Sequence, residues 1–298
     1  MTTLDSQLIN AFAPTVVSRN AFIDLMFYDV GALTEEEGEL LSPWLDHEGT
    51  ILWVPPGSSG EPIAHFPSTE EFLNEKWLDI QAVVVAGVGS SALGTAALAR
   101  NVANACGFEV AGVVSGYGVS DLVSEAMGGW FIFGAADAVR HGWRESLAWW
   151  ERMVHAASPA ASRPAARAAR ALRQGTSDLQ ALVRILDSVP PNLTLLVGHS
   201  KGNLLVDYAL ERLARRVGSG HHPYFEDLRV VTLGAIVDFP NRFRKTRQFL
   251  GAYDWFGGLN SRLDLPHVRV PEAWHHLNTR LPFHLSVERV LEGCLEPG

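Results

Sequence analysis

The stretch LTLLVGHSKGNLLVDYAL, residues 193–210, decides the fold because it joins a buried strand directly to a helix. Four of its first five residues are apolar, and the residues after 202 place apolar side chains at helical spacing. The residues Gly198-His199-Ser200-Lys201-Gly202 between them leave room only for a sharp turn. This junction is either a corner that holds a nucleophilic serine or an ordinary strand-to-helix turn that contains one.

Strand-like and helix-like segments alternate on both sides of this junction. Helices are predicted at 91–105, 177–188 and 201–217, and strands at 82–87, 108–116, 193–197, 228–234, 248–253 and 267–270. Continuous apolar strands that alternate with helices are typical of a parallel sheet with helices on both faces. The sequence therefore predicts an α/β fold with a mostly parallel central sheet.

Two regions depart from this alternation. Residues 120–176 combine an aromatic, amphipathic part with a part rich in Ala, Arg and Pro, and we interpret them as a helical cap inserted into a core of residues 81–298. Residues 1–80 carry fourteen acidic residues against two basic ones. A strand is predicted within them at Ile51–Val54, so they form either extra strands of the sheet or a small lobe. Their acidic surface could bind a protein partner.

Composition excludes several classes of protein. Of the 298 residues, 47% are hydrophobic and 19% are charged, as expected for a soluble globular chain. No basic stripe suggests nucleic-acid binding, and two cysteines without CxxC spacing give no zinc motif. Glycine, serine and threonine interrupt the apolar run 82–99, which favours a strand, a loop and a helix over a membrane span. The first ten residues lack the pattern of a signal peptide, so we expect a cytoplasmic protein, with secretion by a signal-independent route as the alternative.

The residue types at 198–202 suit a nucleophile. Small residues at Gly198 and Gly202 are needed where a strand and a helix meet at close range. Ser200 would lie at the N-terminus of the helix, where developing negative charge is favoured. These features favour a reactive serine over an inert one.

A serine hydroxyl becomes a good nucleophile only when a base takes its proton. His275 and His276 follow the last predicted strand, and because neighbouring side chains cannot both point at Ser200, one of them is the base. We favour His275 and keep His276 as the alternative. Asp254 follows the preceding strand and is the favoured acid, with Asp238 as the alternative. The order along the chain is then serine, acid, histidine.

An acyl-transfer site also needs two backbone N–H groups for the oxyanion. The first is predicted at Lys201, directly after the serine. The second is predicted at Val88, with Gly89 as the alternative, because glycines at 87 and 89 let the backbone approach a substrate closely.

The same glycine-rich loop allows a different function. The segment 87–92, GVGSSA, fits the G-x-G-x-x-G/A pattern of a dinucleotide-binding loop between a strand and a helix. That pattern also requires an acidic residue at the end of the next strand. Glu109 lies at the beginning of that strand instead, so the fingerprint is incomplete and an oxidoreductase is the weaker hypothesis.

Four segments together resemble the α/β-hydrolase superfamily, and more specifically the class 3 lipase-like serine esterases. They are GHSKGNLL (198–205), RVVTLGAIVDFP (229–240), DWFGGLNS (254–261) and VRVPEAWHHLN (268–278). The resemblance covers roughly residues 80–290. The chain departs from the common lipase pattern GHSLGG at Lys201 and Asn203, and no His-Gly pair precedes the oxyanion loop, which leaves the substrate class open.

The resemblance implies a function. Ser200, His275 and Asp254 would form a triad that cleaves a carboxylic ester, of a lipid or another acyl compound, through an acyl-enzyme. Such chemistry requires no metal and no organic cofactor. The aromatic part of the predicted cap would contribute lining residues of the substrate pocket, namely Trp130, Phe131, Phe133 and Trp143. A hydrolase fold with an unused site, acting as a binding module, is the alternative.

Overall fold

Eight strands form one sheet in the computed structural model, which describes residues 24–41, 49–87, 90–115, 177–259 and 261–295. The strands are β1 Ile51–Val54, β2 Ala64–Phe66, β3 Ala82–Val85, β4 Val110–Val113, β5 Leu195–His199, β6 Arg229–Leu233, β7 Lys245–Gly251 and β8 Val268–Val270. Their order in the sheet is β2-β1-β4-β3-β5-β6-β7-β8.

The helices of the described residues follow and separate these strands. They are α1 Glu35–Leu41, α2 Thr69–Lys76, α3 Ala92–Cys106, α4 Ser177–Asp187, α5 Gly202–Val217, α6 Pro223–Asp227, α7 Trp255–Leu259 and α8 Val287–Leu295. Short 3-10 turns span Val30–Ala32 and Gly57–Ser59.

Most of the sheet is parallel. The strands β4, β3, β5, β6, β7 and β8 all pair in parallel, whereas β1 runs antiparallel to both β2 and β4. The predicted α/β class with a mostly parallel sheet is therefore confirmed. The loops that follow β3, β5, β6, β7 and β8 all leave the same edge of the sheet, so residues distant in sequence converge there.

Helices cover the central sheet on both faces. The helices α3 and α8 pack on one face, and α2, α4, α5 and α6 pack on the other. Successive residues of a strand point to opposite faces, so a strand covered on both sides needs an apolar residue at every position. In β3, all four residues from Ala82 to Val85 are buried.

Residues 49–80 contribute β1 and β2 to the same sheet. Within the segment 82–99, considered above for a membrane span, β3 ends at Val85 and α3 begins at Ala92. In the described part of the chain, no helix combines the length and the apolar character that a membrane crossing requires. The predicted cap at 120–176 lies outside the described residues.

Candidate active site

The turn at 198–202 is a tight corner between β5 and α5. Ser200 has φ of 52°, a left-handed conformation that is rare for a residue with a side chain. A Cβ at Gly202 would lie 2.4 Å from the carbonyl oxygen of Val85, and one at Gly198 would lie 2.3 Å from Oδ1 of Asn203. The corner therefore has no room for a side chain at Gly202, and a side chain at Gly198 would displace the amide of Asn203.

Hydrogen bonds fix this corner against the end of β6. The backbone N–H of Ser200 donates to the carbonyl of Leu233 at 2.8 Å. The buried amide of Asn203 donates to the carbonyls of Leu233 and Ala235 at 3.1 and 3.3 Å. Asn203 is one of the two positions at which the sequence departs from the lipase pattern, and here its amide ties α5 to the neighbouring strand.

Ser200, His275 and Asp254 are joined by hydrogen bonds. Oγ of Ser200 lies 2.9 Å from Nε2 of His275, and Nδ1 of His275 lies 2.8 Å from Oδ2 of Asp254. A carboxylate only accepts hydrogen bonds, so Nδ1 carries the proton and Nε2 presents its lone pair to the serine hydroxyl. His275 and Asp254 are buried, while Ser200 is partly exposed.

The carboxylate of Asp254 is held at the start of α7. Its Oδ1 accepts the backbone N–H of Gly257 at 2.6 Å, as the side chain of a helix N-cap residue does. A Cβ at Gly257 would lie 2.5 Å from Oδ2, so the glycine leaves the space in which the carboxylate sits. With both oxygens bound, the carboxylate has a fixed orientation toward the imidazole.

The two alternative residues have other partners. Nε2 of His276 donates to the carbonyl of Pro282 at 3.0 Å. The half-buried carboxylate of Asp238 lies 4.0 Å from the guanidinium of Arg262. The three residues that share the hydrogen-bonded arrangement are thus Ser200, His275 and Asp254.

The predicted oxyanion donors lie partly outside the described residues. Lys201 directly follows Ser200 and leads into α5. Val88 and Gly89 are outside the described residues, but Gly87 precedes them, and a Cβ there would lie 3.3 Å from Cβ of Ser200. The loop after β3 therefore begins beside the serine. The pocket residues Trp130, Phe131, Phe133 and Trp143 also lie outside the described residues.

Aromatic rings surround the imidazole of His275. Phe256 contacts it edge-on with ring centroids 4.8 Å apart, and Phe27 does the same at 5.7 Å. Sequence reasoning did not identify either ring. Phe256 lies two residues after Asp254 and could have been considered from that position, but nothing in the sequence links Phe27 to a histidine 248 positions later.

A buried carboxylate lies at the N-terminus of α3. Oδ2 of Asp24 accepts hydrogen bonds from the backbone N–H of Ser91 at 3.1 Å and from its hydroxyl at 2.5 Å. Burial raises the pKa of Asp24 to about 7. Sequence reasoning missed this residue as well.

Comparison with known proteins does not identify this site. No protein-family model matches the chain, and the searches of curated proteins and of solved structures found no significant match. The function of the site is therefore inferred from its own geometry.

Proposed function

We propose that this protein is a serine hydrolase that cleaves carboxylic esters through an acyl-enzyme. The observation that carries the proposal is the pair of hydrogen bonds from Ser200 to His275 and from His275 to Asp254, at 2.9 and 2.8 Å. Nucleophile, base and orienting acid within hydrogen-bond reach of one another constitute the arrangement that activates a serine.

In the first step, Nε2 of His275 takes the proton of the Ser200 hydroxyl as Oγ attacks the ester carbonyl. The resulting imidazolium returns that proton to the leaving alkoxide oxygen, and the acyl group stays on Ser200. Water then attacks the acyl-enzyme with His275 again acting as base, which releases the acid and restores the serine. The buried carboxylate of Asp254 stabilises the imidazolium in both steps.

The surroundings of Ser200 suit the charge that develops on the substrate oxygen. The serine precedes α5, whose N-terminal end favours negative charge. The backbone N–H of Lys201 would donate one hydrogen bond to the oxyanion. The second donor would come from the loop after β3, because β3 pairs with β5 and Val85 lies opposite Gly198.

The strain at Ser200 also supports a functional role. A left-handed conformation at a residue other than glycine costs on the order of 1–3 kcal/mol and persists where the surrounding structure enforces it.

One observation argues against the dinucleotide-binding hypothesis. A dinucleotide-binding loop places a pyrophosphate against the N–H groups at the start of the following helix. In this chain the carboxylate of Asp24 already accepts the N–H of Ser91, directly before α3. The N–H group that a phosphate oxygen would use is therefore already bound.

A fluorophosphonate probe, which reacts with activated serines, tests the proposal. The full-length protein should be labelled, and the Ser200→Ala variant should not. A Ser59→Ala variant is the control, since Ser59 is exposed in a turn between β1 and β2. Hydrolysis of p-nitrophenyl esters should fall roughly 10⁴- to 10⁶-fold in Ser200→Ala only. Equal labelling of Ser200→Ala and Ser59→Ala, or an unlabelled wild-type protein, would contradict the proposal.

A further inference from the structure

The ring of His199, the residue before the nucleophile, bridges two parts of the site. Its Nε2 lies 3.0 Å from the backbone carbonyl oxygen of His275, and its Nδ1 lies 3.0 Å from the hydroxyl of Tyr28. A carbonyl only accepts, so Nε2 carries the proton. A neutral imidazole has one N–H group, which leaves Nδ1 as an acceptor.

The hydroxyl of Tyr28 must therefore donate to His199. The same oxygen accepts the backbone N–H of Gly87 at 2.7 Å, at the start of the loop predicted to supply the second oxyanion donor. Every bond in this series has one possible direction: Gly87 donates to Tyr28, Tyr28 to His199, and His199 to the carbonyl of His275. Tyr28 and His199 are buried, at 3% and 1% exposure, so solvent does not compete for these bonds.

The backbone on either side of Tyr28 supports the loop that carries His275. The N–H of Leu277 donates to the carbonyl of Phe27 at 2.7 Å. The amide of Asn278 donates to the carbonyl of Leu25 at 2.7 Å. Residues 24–29 thus contact the loop of the base on one side and the loop after β3 on the other.

His199 keeps a constant charge while its neighbour changes protonation. Burial, reinforced by the nearby His275, lowers the pKa of His199 to about 3. The two rings lie 5.2 Å apart, so a second positive charge at His199 would oppose formation of the His275 imidazolium. A neutral His199 fixed in one tautomer can hold the carbonyl of His275 without that penalty.

We propose that Tyr28 is a positioning residue, whose hydroxyl sets the orientation of His199 and thereby couples the loop after β3 to the backbone of the base. This inference rests on the proposed hydrolase function. Tyr28 acts through its neighbours, so its removal should lower kcat and leave KM nearly unchanged. Loss of the hydrogen bonds that orient metal-ligating histidines lowers activity about 10- to 100-fold, and we expect a loss of the same size here.

The matched experiment compares Tyr28→Phe with Tyr224→Phe. Tyr224 is equally buried, at 3% exposure, and its hydroxyl donates to the carbonyl of Pro190 at 3.3 Å, away from the site. We expect kcat for p-nitrophenyl ester hydrolysis to fall 10- to 100-fold in Tyr28→Phe and less than twofold in Tyr224→Phe. A kcat unchanged in Tyr28→Phe, or lowered equally in both variants, would overturn the inference.

A double-mutant cycle separates positioning from a general loss of stability. If Tyr28 acts through His199, then Tyr28→Phe should lower kcat much less in a His199→Phe background than in the wild type, and the remaining loss should reflect the unpaired N–H of Gly87. Independent, multiplicative losses of kcat in the double variant would overturn the proposed route.

The ring nitrogens of His199 report on the inference without any turnover. In ¹⁵N-histidine spectra, the wild-type protein should show His199 as the Nε2–H tautomer. Tyr28→Phe should keep that tautomer, because the carbonyl of His275 still accepts the Nε2–H, but the Nε2–H resonance should shift as the ring loses its orientation toward that carbonyl. An unchanged Nε2–H resonance in Tyr28→Phe would overturn the inference. A wild-type protein that no fluorophosphonate labels would instead refute the hydrolase function, and the Nε2–H resonance would still decide the role of the Tyr28 hydroxyl.

Discussion

The two parts of the chain that meet at the serine are held in place in different ways. The corner at 198–202 is hydrogen-bonded to the end of β6 and is also closely packed, since a single added methyl group at Gly202 would overlap the carbonyl of Val85. The base loop, residues 271–285, has no regular secondary structure and is held by hydrogen bonds to distant segments, including the bond that the N–H of Leu277 donates to the carbonyl of Phe27. The corner should therefore be sensitive to side-chain volume, and the base loop to the loss of single polar groups.

The base loop also contains backbone strain of its own. Glu272 and Phe283 have φ of 53° and 64°, and these two residues lie on either side of His275. Between them, the N–H of Trp274 donates to the carbonyl of Phe283 at 2.6 Å, so the loop closes on itself. Such a loop keeps its shape only while the segments packed against it stay in place.

The largest expected effect distinguishes the two adjacent histidines of the base loop. His275→Gln removes the proposed base for Ser200, so kcat/KM for ester hydrolysis should fall by roughly 10⁴-fold or more. His276→Gln, which alters the contacts with Pro282 and with the ring of Trp274, should lower it less than tenfold. Steady-state kinetics on both variants measure the difference. Equal losses would mean that the loop responds as a structural unit and that neither ring is the base.

Asp254→Asn should have the next largest effect. The amide can present its NH₂ group to His275, which favours the wrong tautomer, and kcat should fall by about 10³- to 10⁴-fold. Asp238→Asn is the matched control. Asp238 also follows a strand of the sheet, but its carboxylate lies 4.0 Å from the guanidinium of Arg262. The comparison is made with the same ester at the pH of maximal rate. A larger loss in Asp238→Asn would reassign the acid.

A smaller effect, on stability, tests the close packing of the corner. Gly202→Ala forces a Cβ against the backbone oxygens of Val85 and Ala86, so the free energy of unfolding should fall by about 1–3 kcal/mol or more. Gly293→Ala, inside α8 and with nothing within 4 Å of the added carbon, should raise it by about 0.5–1 kcal/mol. Urea unfolding measures both values. A neutral Gly202→Ala variant would show that the corner can relax.

The smallest effect concerns the pH dependence of stability. Burial raises the pKa of Asp24 from 3.8 to about 7 in the folded protein, so the folded state binds a proton more tightly than the unfolded state. The contribution of Asp24 to stability is therefore greatest below pH 4, declines as pH rises from about 4 to 7, and is constant above that range. Asp24→Asn should remove this decline. The free energy of unfolding of Asp24→Asn, compared with that of wild type, should therefore be higher at pH 8 than at pH 5.

Urea unfolding at pH 5 and pH 8 measures this difference. Asp227→Asn, which changes an exposed carboxylate beside Lys245, is the control and should leave the pH dependence close to that of wild type. A parallel pH dependence in wild type and Asp24→Asn would contradict the expectation.

Much of the fold could be predicted because its signals are local. The helix–strand alternation placed six of the strands within a few residues of their observed positions, and the corner at 198–202 lies in one continuous stretch. The strand β5 extends two residues further than predicted, through Gly198 and His199, because both pair with β6. Periodicity did not show this, since a glycine and a histidine interrupt the apolar pattern. The three-residue β2 is too short to give a pattern at all.

The candidate site could be predicted only as far as chain order and spacing allow. Asp254 and His275 follow parallel strands, whose carboxyl ends lie at the same edge of the sheet as Ser200. Their positions in the sequence therefore predicted that they lie near Ser200. The choice between His275 and His276 depends on the path of an irregular loop, which spacing does not determine. Tyr28 gave no signal at all, because its bond to His199 joins residues 171 positions apart.

That separation has a consequence for how the molecule folds. The bond between Asn278 and Leu25 closes a loop of 253 residues, and such contacts form late because ordering the intervening chain costs entropy. The corner at 198–202 depends on contacts with β3, β5 and β6. The imidazole of His275, in contrast, is held in place only after Leu25 and Asn278 have come together. We therefore expect a newly made chain to acquire its helix content before the proposed esterase activity, which would then report the completion of folding.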